Sequence, residues 1–377
     1  MSFADVEHEM NAAVSRGVFP GAVLLVRQGD RVFYLRAFGN RSLEPEVTPM
    51  SEDTIFDVSS LTKAFATSVA MMLMVQDGRL ELDDRVSRFF HNFGVHGKTH
   101  VTFRHLLSHC SGLPAWRPYF QDIVDIERRD GRINFLGSQG AKMYVYQAIM
   151  RERLEAEPAT RAIYSDLGFI LLGAVIEEVA GVSLDRFCQS RIFRPLGLRT
   201  TAFVDQSVLR VHRLEPIPDM IAPTERCPWR KTILCGVVHD DNAYAMGGVS
   251  GHAGLFSSAK DLDVILCHLR ASYTSARQLI AQPIVREFWR RDETVPGSTW
   301  CLGWDTPSSV DSSAGTHFSD HSVGHLGFTG TSVWLDLERD RHVIVLSNRV
   351  HPTRDNEAIR QFRPLIHDLI VEALEHS

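Results

Sequence analysis

The sequence predicts a mixed α/β (α+β) fold, in which both ends of the chain build one antiparallel sheet flanked by helices, with a helical lobe inserted between them. Two observations predict the sheet: near each end, a pair of apolar, β-rich runs flanks a short polar turn, the pattern of a β-hairpin. The strands of the two hairpins are predicted at 21–26, 31–36, 332–336 and 342–347. A third observation predicts the lobe, because Leu, Ile, Val and Ala recur between the hairpins at three- and four-residue intervals.

Helices are predicted before the first hairpin, throughout the lobe and after the second hairpin. Their predicted ranges are 5–16, 64–76, 103–108, 140–155, 167–180, 184–192, 259–269 and about 356–375. The stretch 205–240 holds four prolines and little periodicity, so it is predicted as a long ordered loop that covers or lines a site. The chain is predicted as one domain, 1–377, with an α/β part at about 1–80 and 240–377 and the lobe and loop at about 81–239.

The charge balance narrows the class of partner. With 40 basic and 46 acidic residues the net charge is -6, so nucleic acid is not expected and a small-molecule substrate is. The N-terminus lacks the apolar run of a secretory signal, and no segment reaches the roughly 18 apolar residues of a membrane span. The protein is therefore predicted to be cytoplasmic, with no membrane span and with six reduced cysteines. The oligomeric state is left open.

Ser60 and Lys63 stand at the head of an apolar helix. The segment Ser60-Leu61-Thr62-Lys63 precedes an apolar run at 64–73, which puts both polar side chains on one helix face, one turn apart. A serine hydroxyl needs a base to become a nucleophile, and apolar surroundings could lower the pKa of the lysine enough to leave a neutral amine. The protonation state of Lys63 is left open. Ser60 is therefore the predicted nucleophile and Lys63 its activating group, although Ser-x-x-Lys alone is a common pattern.

Two further segments place polar or glycine residues at the edge of an element. Tyr164-Ser165-Asp166 precedes the next apolar helix; the tyrosine could shuttle protons near Ser60, while the two residues after it are also ordinary helix-capping types. The segment 324–331 contains three glycines and leads into a strand. A backbone N–H in that segment could join that of Ser60 in an oxyanion hole, or the glycines could form an ordinary bulge.

These three segments, in this order and at these separations, resemble the penicillin-recognising serine hydrolases: class C β-lactamases, D-Ala-D-Ala carboxypeptidases and peptidases, and related esterases. Two more segments carry the resemblance. Residues 105–114 look like the family's His-Leu-Leu-x-His-x-Ser-Gly-Leu segment, and 346–349 resemble the strand end after its last motif. The resemblance runs nearly end to end and implies a β-lactamase/transpeptidase-like fold.

Carried onto this chain, the resemblance gives each motif a role. Ser60 is the acylated nucleophile, and Lys63 and Tyr164 share the general acid and base duties. The N–H groups of Ser60 and Phe328 form the oxyanion hole. The implied activity is cleavage of a peptide, amide or ester through an acyl-enzyme, in the class of D-amino-acid peptides or carboxylic esters.

Two departures from the family pattern bear on the substrate. His325-Leu326-Gly327 stands where the family commonly has Lys-Thr-Gly, and Asp166 replaces an asparagine. A histidine is charged only below about pH 6.5 unless its surroundings shift it, and the acid at Asp166 is expected to repel a carboxylate. Both changes favour an amide or ester, or a substrate with an amine near Asp166 as for a D-aminopeptidase, over efficient β-lactam hydrolysis. The glycine-rich stretch 235–257 resembles a subgroup associated with cell-wall peptides, so a cell-wall-derived peptide is one predicted substrate.

Two other functions are weighed against this one. The first is a β-lactamase or a penicillin-binding sensor module that is acylated without efficient turnover. The second is a zinc enzyme, because His105 and His109, like His96 and His100, have the spacing of helical zinc ligands. No glutamate follows His105 as it does in a metalloprotease. We therefore predict neither a metal nor a cofactor.

Overall fold

The two ends of the chain meet in one sheet. The computed structural model describes residues 1–131, 134–206, 208–209, 218–275 and 278–376. In these residues the strands are β1 (Gly21–Gln28), β2 (Arg31–Ser42), β3 (Thr48–Pro49), β4 (Phe56–Asp57), β5 (Ala202–Phe203), β6 (Arg226–Cys227), β7 (Thr232–Ile233), β8 (Leu255–Ser257), β9 (Ser322–Leu326), β10 (Ser332–Asp336) and β11 (Arg341–Ser347). The largest sheet has the order β3-β2-β1-β11-β10-β9, with every neighbouring pair antiparallel. The predicted sheet, built from both termini, is confirmed.

Helices cover this sheet and form the lobe. The described helices are α1 (Phe3–Ser15), α2 (Lys63–Gln76), α3 (Val86–Phe89), α4 (Phe103–Leu107), α5 (Tyr119–Asp130), α6 (Gln139–Arg151), α7 (Asp166–Ala180), α8 (Leu184–Phe193), α9 (Asp241–Ala245), α10 (Ala259–Thr274), α11 (Gln282–Phe288) and α12 (Ile359–Glu375). The first turns of α2, Lys63–Ser68, are wound as a π-helix. Such wide turns are frequent at functional sites.

Strand β1 is buried on both faces. Leu24 pairs with Val345 of β11, and Leu25 pairs with Leu35 of β2. Successive side chains of a strand point to opposite faces. Leu24 therefore packs into the core shared with α1 and α12, whereas Leu25 belongs to the core that extends into the lobe. Burial on two faces explains why this run is apolar without alternation.

The predicted helices do not include α3, α5, α9 or α11. Half of the residues of α5 are charged, yet its apolar residues recur at helical spacing and it buries Tyr119 and Ile123, so a periodic signal for this helix is present in the sequence. The stretch predicted as a long loop, 205–240, contains short elements where it is described, namely helical residues at 206 and 208–209, β6, β7 and a 3₁₀ turn at Pro218–Met220. Residues 207 and 210–217 of that stretch lie outside the described residues.

A glycine contact brings the segment 250–252 against α2 and α7. A Cβ on Gly251 would lie 2.1 Å from the carbonyl oxygen of Phe169, and a Cβ on Gly173 would lie 3.0 Å from the Gly251 nitrogen. Thr67 donates from Oγ1 to the Gly251 oxygen at 2.6 Å. Because no side chain separates the backbones, the following residue reaches the start of α2.

Taken singly, the described helices are too short or too polar to cross a membrane; α7 and α8 meet the length and apolarity criteria only together, as a pair bent by 71°. All six cysteines are free thiols, and four of them are buried. The compartment and the division of the domain stay predictions.

Asp263 ties α10 to the centre of the sheet. Its carboxylate accepts hydrogen bonds from Nε and Nη2 of Arg27 on β1, both at 2.7 Å, and lies 2.7 Å from Nε2 of His342 on β11. Burial acts to raise the pKa of Asp263, but the hydrogen bonds from His342 and Arg27 outweigh it and lower the pKa to about 2.

We expect Asp263→Asn to lower the free energy of unfolding at pH 7 by about 3 kcal/mol, because it leaves the Arg27 guanidinium without its counterion in a buried site. The pKa of Asp263 in the folded state lies below the unfolded value of about 3.9, so its contribution is complete above about pH 4 and is lost as the pH falls toward 2. Urea unfolding at several pH values measures this. The control, Asp53→Asn, removes an exposed partner of Lys260 and should cost less than about 0.5 kcal/mol. Equal losses in both variants would contradict the role of Asp263.

Candidate active site

A tight turn between β4 and α2 presents Ser60. Ser59 has a φ of +50°, a left-handed conformation that costs a non-glycine residue free energy. The Asp57 carboxylate holds the turn, because it accepts hydrogen bonds from the backbone N–H of Ser59 at 2.8 Å and of His239 at 2.7 Å. Burial raises the pKa of Asp57. The sequence does not single out Asp57, since its partners are backbone groups.

Lys63 is fully buried, and each of its three ammonium N–H bonds has an oxygen within reach. Nζ lies 2.9 Å from Ser60 Oγ, 3.1 Å from the His252 carbonyl oxygen and 2.7 Å from Asp166 Oδ1. Burial acts to lower the pKa of Lys63, but Asp166 and then Tyr164 act more strongly in the other direction and leave the pKa raised. Asp166 thus opposes the neutral amine that apolar surroundings alone would favour. Asp166, predicted as a substrate contact, pairs with Lys63 and keeps it protonated.

Tyr164 lies beside Ser60 and Lys63 and lines the same cavity as Ser60. Lys63 Nζ is 4.8 Å from the centroid of the Tyr164 ring. This ring is stacked on Trp300 at 5.4 Å and lies 4.6 Å from the ring of His109. Enclosure of the hydroxyl raises the pKa of Tyr164, although Lys63 acts to lower it. The three residues predicted to act together thus lie side by side, and the pKa values of Lys63 and Tyr164 are both raised.

The turn between β9 and β10 is attached to the nucleophile turn. Thr329 and Thr331 donate from Oγ1 to the carbonyl oxygens of residues 57 and 58, at 2.8 and 3.1 Å. Phe328 lies in this turn. Within the described ranges, neither its backbone N–H nor that of Ser60 has a hydrogen-bond acceptor. Both N–H groups are therefore free to bind a developing oxyanion, and their assignment to that role stays a prediction.

His325 lies on β9 and faces the same cavity without a charge. Its Nδ1–H donates to the carbonyl oxygen of Leu326 at 2.8 Å, so Nε2 of the neutral ring carries a lone pair. Nε2 is buried and has no partner in the described part of the chain. Burial, and then Lys63, lower the pKa of His325 to about 3. At Gly327, a Cβ would lie 2.0 Å from Thr331 Oγ1, so the turn requires a glycine there.

Residues from the glycine-rich stretch supply an acidic part of the wall. His252 lies with Nε2 2.9 Å from Asp240 Oδ1 and with Nδ1 2.9 Å from Ser250 Oγ. Burial acts to raise the pKa of Asp240, yet His252 outweighs it and the pKa is lowered. Asp166, Asp240 and His252 have ligand atoms within 4.8 Å of one another, an arrangement that suits a metal ion. The Asp166 carboxylate is already paired with the Lys63 ammonium, however, and this positive charge would repel a metal ion.

These groups line a cavity of about 560 Å³. Trp116 and Phe328 expose 42% and 49% of their surface, so two aromatic faces are available to a ligand. Further lining residues that the sequence does not single out are Trp300, Asp240, His252, Arg349 and Arg363. The polar, glycine-rich composition of 235–257 indicates the part of the wall that contains Asp240 and His252. Arg349 ends the segment 346–349 that carries the family resemblance, whereas Arg363 has no local signal.

Comparison with known proteins adds independent evidence. Residues 3–367 match the model of the Beta-lactamase family. An Escherichia coli (strain K12) protein is 31% identical over 374 residues, which cover 91% of this chain and 82% of the relative. That relative is named as a candidate D-alanyl-D-alanine carboxypeptidase. The N-acetylmuramyl-L-alanine amidase of Bacillus subtilis (strain 168) is 30% identical over 368 residues, covering 90% and 79%. The solved structure of EstCE1, a hydrolase with promiscuous acyltransferase activity, is similar with a TM-score of 0.71 and 25% identity, over 97% of this chain and 98% of that one.

We expect Asp166→Asn to lower the pKa of Lys63, because it removes the charge that outweighs burial. If the Lys63–Tyr164 pair must lose one proton before it can accept that of Ser60, the rise of activity with pH moves to lower pH by about 1–3 units. The rate at which a fluorophosphonate labels Ser60, followed across the pH range in which the protein is folded, measures the shift. Asp166→Glu keeps the charge and should stay near the unchanged protein. A shift of Asp166→Asn to higher pH would refute the assignment.

Proposed function

The chain belongs to the β-lactamase family of serine hydrolases, and we propose that it cleaves an amide bond in a small cell-wall-derived peptide through an acyl-enzyme on Ser60. The observation that carries the proposal is the contact of 2.9 Å between Ser60 Oγ and Nζ of the buried Lys63. Tyr164 lies beside both residues, with its ring centroid 4.8 Å from Lys63 Nζ. A nucleophile in contact with two proton-transfer groups is the arrangement that covalent catalysis needs.

Acylation starts from the form in which the Lys63–Tyr164 pair has lost one proton. The pair takes the Ser60 proton while Oγ attacks the carbonyl carbon, and the oxyanion accepts hydrogen bonds from the N–H groups of Ser60 and Phe328. The pair then gives the proton to the leaving nitrogen as the C–N bond breaks, which leaves an ester on Ser60. A water molecule hydrolyses this ester by the reverse proton path and releases the carboxylic acid.

The choice of an amide substrate has three supports. The relatives with 30–31% identity are named as a carboxypeptidase and an amidase of alanine-containing substrates. A cavity of about 560 Å³ is in the range that holds a small ligand, and the exposed faces of Trp116 and Phe328 offer apolar contact. Neutral His325 provides no cation where the family's lysine would grip the carboxylate of a β-lactam. The similarity to EstCE1 supports simple esters as surrogate substrates.

We expect the protein to turn over D-alanyl and muramyl-L-alanine amides and short nitrophenyl esters, and a chromogenic cephalosporin poorly. Ser60→Ala should lower kcat by about 10⁴-fold or more, and mass spectrometry should detect the acyl group on Ser60 of the unchanged protein. Turnover retained by Ser60→Ala would refute the proposal. A cephalosporin as the best substrate would identify a β-lactamase instead. Labelling of Ser60 without turnover of any substrate would identify a sensor module.

Tyr164→Phe separates the proton-transfer role of the hydroxyl from the packing of the ring. The phenyl ring can still stack on Trp300, so we expect little change in KM, whereas kcat should fall by about 10²–10⁴-fold because a proton-transfer group is lost. Steady-state kinetics with an amide substrate measures both constants. The control, Tyr144→Phe, removes an exposed hydroxyl that bonds Asp122 outside the cavity. Similar values of kcat for Tyr164→Phe and the unchanged protein would show that Lys63 acts alone.

A further inference from the structure

Arg363 of α12 contacts the turn that carries Phe328. It is only 7% exposed, and its Nη2 donates to the carbonyl oxygens of Gly327 and Thr331, both at 2.8 Å. Within the described residues these two carbonyl groups are its hydrogen-bond acceptors, and no carboxylate forms an ion pair with it. The guanidinium charge is therefore balanced only by backbone dipoles.

A buried arginine without a counterion needs an explanation. Arg341, which is equally buried, lies 3.5 Å from the carboxylate of Asp336. Arg363 instead has cations nearby: burial, and then Arg349 and Arg360, lower its pKa. Such a charge costs free energy unless an anion forms beside it. An anion that offsets this cost is therefore expected to form next to the groups that Arg363 contacts.

The carbonyl of Gly327 and the N–H of Phe328 are the two ends of one peptide group. Resonance couples these ends, so a cation that donates to the oxygen draws electron density from the nitrogen and makes its N–H a stronger donor. That N–H has no acceptor in the described structure. Arg363 is thus separated by one peptide group from the oxyanion of the proposed reaction.

We propose that Arg363 is a positioning residue of the oxyanion hole, whose charge acts through the Gly327–Phe328 peptide to strengthen the hydrogen bond to the transition-state oxyanion. The inference rests on the proposed function, because it requires Ser60 to attack a carbonyl group. An interaction that is stronger in the transition state than in the bound substrate raises kcat and leaves KM nearly unchanged. A purely structural role, in which Arg363 only holds α12 against the turn, would change stability and KM instead.

Arg363→Met tests the proposal with three readouts. We expect kcat to fall by about 10- to 100-fold, less than the roughly 10²–10³-fold that follows loss of an oxyanion donor outright, with little change in KM. Affinity for a boronic acid that forms a tetrahedral anion on Ser60 should fall by a similar factor. The infrared carbonyl stretch of the acyl-enzyme should move to higher frequency, because the carbonyl is less polarised. The control, Arg339→Met, removes an exposed cation that pairs with Glu375 of α12, the helix that carries Arg363. It should alter neither kcat, nor the boronic acid affinity, nor the carbonyl frequency.

A folded Arg363→Met protein with unchanged boronate affinity and carbonyl frequency would overturn the inference. If that variant does not fold, Arg363→Lys and Arg363→Gln decide the matter, because both keep a donor and only one keeps the charge. The lysine variant should then bind the boronic acid more tightly, and equal affinities would overturn the inference. Failure of the proposed function is a separate result, since it requires turnover that survives Ser60→Ala.

Discussion

The charge of Lys63 is buried, and its need for acceptors determines how the parts of the site meet. A buried ammonium is tolerated only when its N–H bonds are satisfied and its charge is balanced. Ser60 lies in the turn that leads into the same helix, Asp166 begins α7, and the His252 carbonyl belongs to the segment that the contact at Gly251 holds against both helices. These elements must therefore be packed together before the lysine is stable in its place. The same contacts raise the pKa of Lys63, so in the proposed mechanism the site must lose a proton before it can act.

A second constraint fixes the turn that carries Phe328. Two threonine side chains, Thr329 and Thr331, attach it to the nucleophile turn. Arg349 donates to the Phe328 carbonyl oxygen at 2.8 Å, and Arg363 binds the carbonyl oxygens on either side of the turn. Both peptides that flank Phe328 are thus held before any substrate arrives. Fixed donors of this kind need no rearrangement when charge develops, which is why preorganised sites stabilise transition states better than water does.

Features that depend on neighbours in the chain were predictable from the sequence. The hairpins follow from local alternation and a polar turn, and Ser60 with Lys63 follows from a spacing of one helical turn. Helix α5 has a local pattern of the same kind, since its apolar residues recur at helical spacing, and it escaped prediction because half of its residues are charged. The Lys63–Asp166 ion pair depends on the packing of two helices that are distant in the sequence. Its consequence, a raised rather than lowered pKa of Lys63, has no local signal.

The lowered pKa of His325 and the role inferred for Arg363 escaped prediction for different reasons. The pKa of a histidine depends on its burial, which one position in a strand does not reveal. Arg363 binds backbone carbonyls, and a pattern of side chains cannot show partners that every residue possesses. Sequence motifs therefore identify which residues react, whereas the protonation states of those residues require the packed structure.

The acidic and the basic side chains around the cavity contact different groups. The acids Asp166 and Asp240 bind Lys63 and His252, whereas Arg349 and Arg363 bind the carbonyls of the turn around Phe328. In the proposed reaction a proton moves toward Lys63 and Tyr164, while negative charge develops on the substrate oxygen that accepts a hydrogen bond from the N–H of Phe328. Positive charge then gathers near the acids, and negative charge gathers near the arginines. The fixed charges are thus arranged along the charge separation of the transition state, and an uncharged amide is the substrate in which that separation arises only during the reaction.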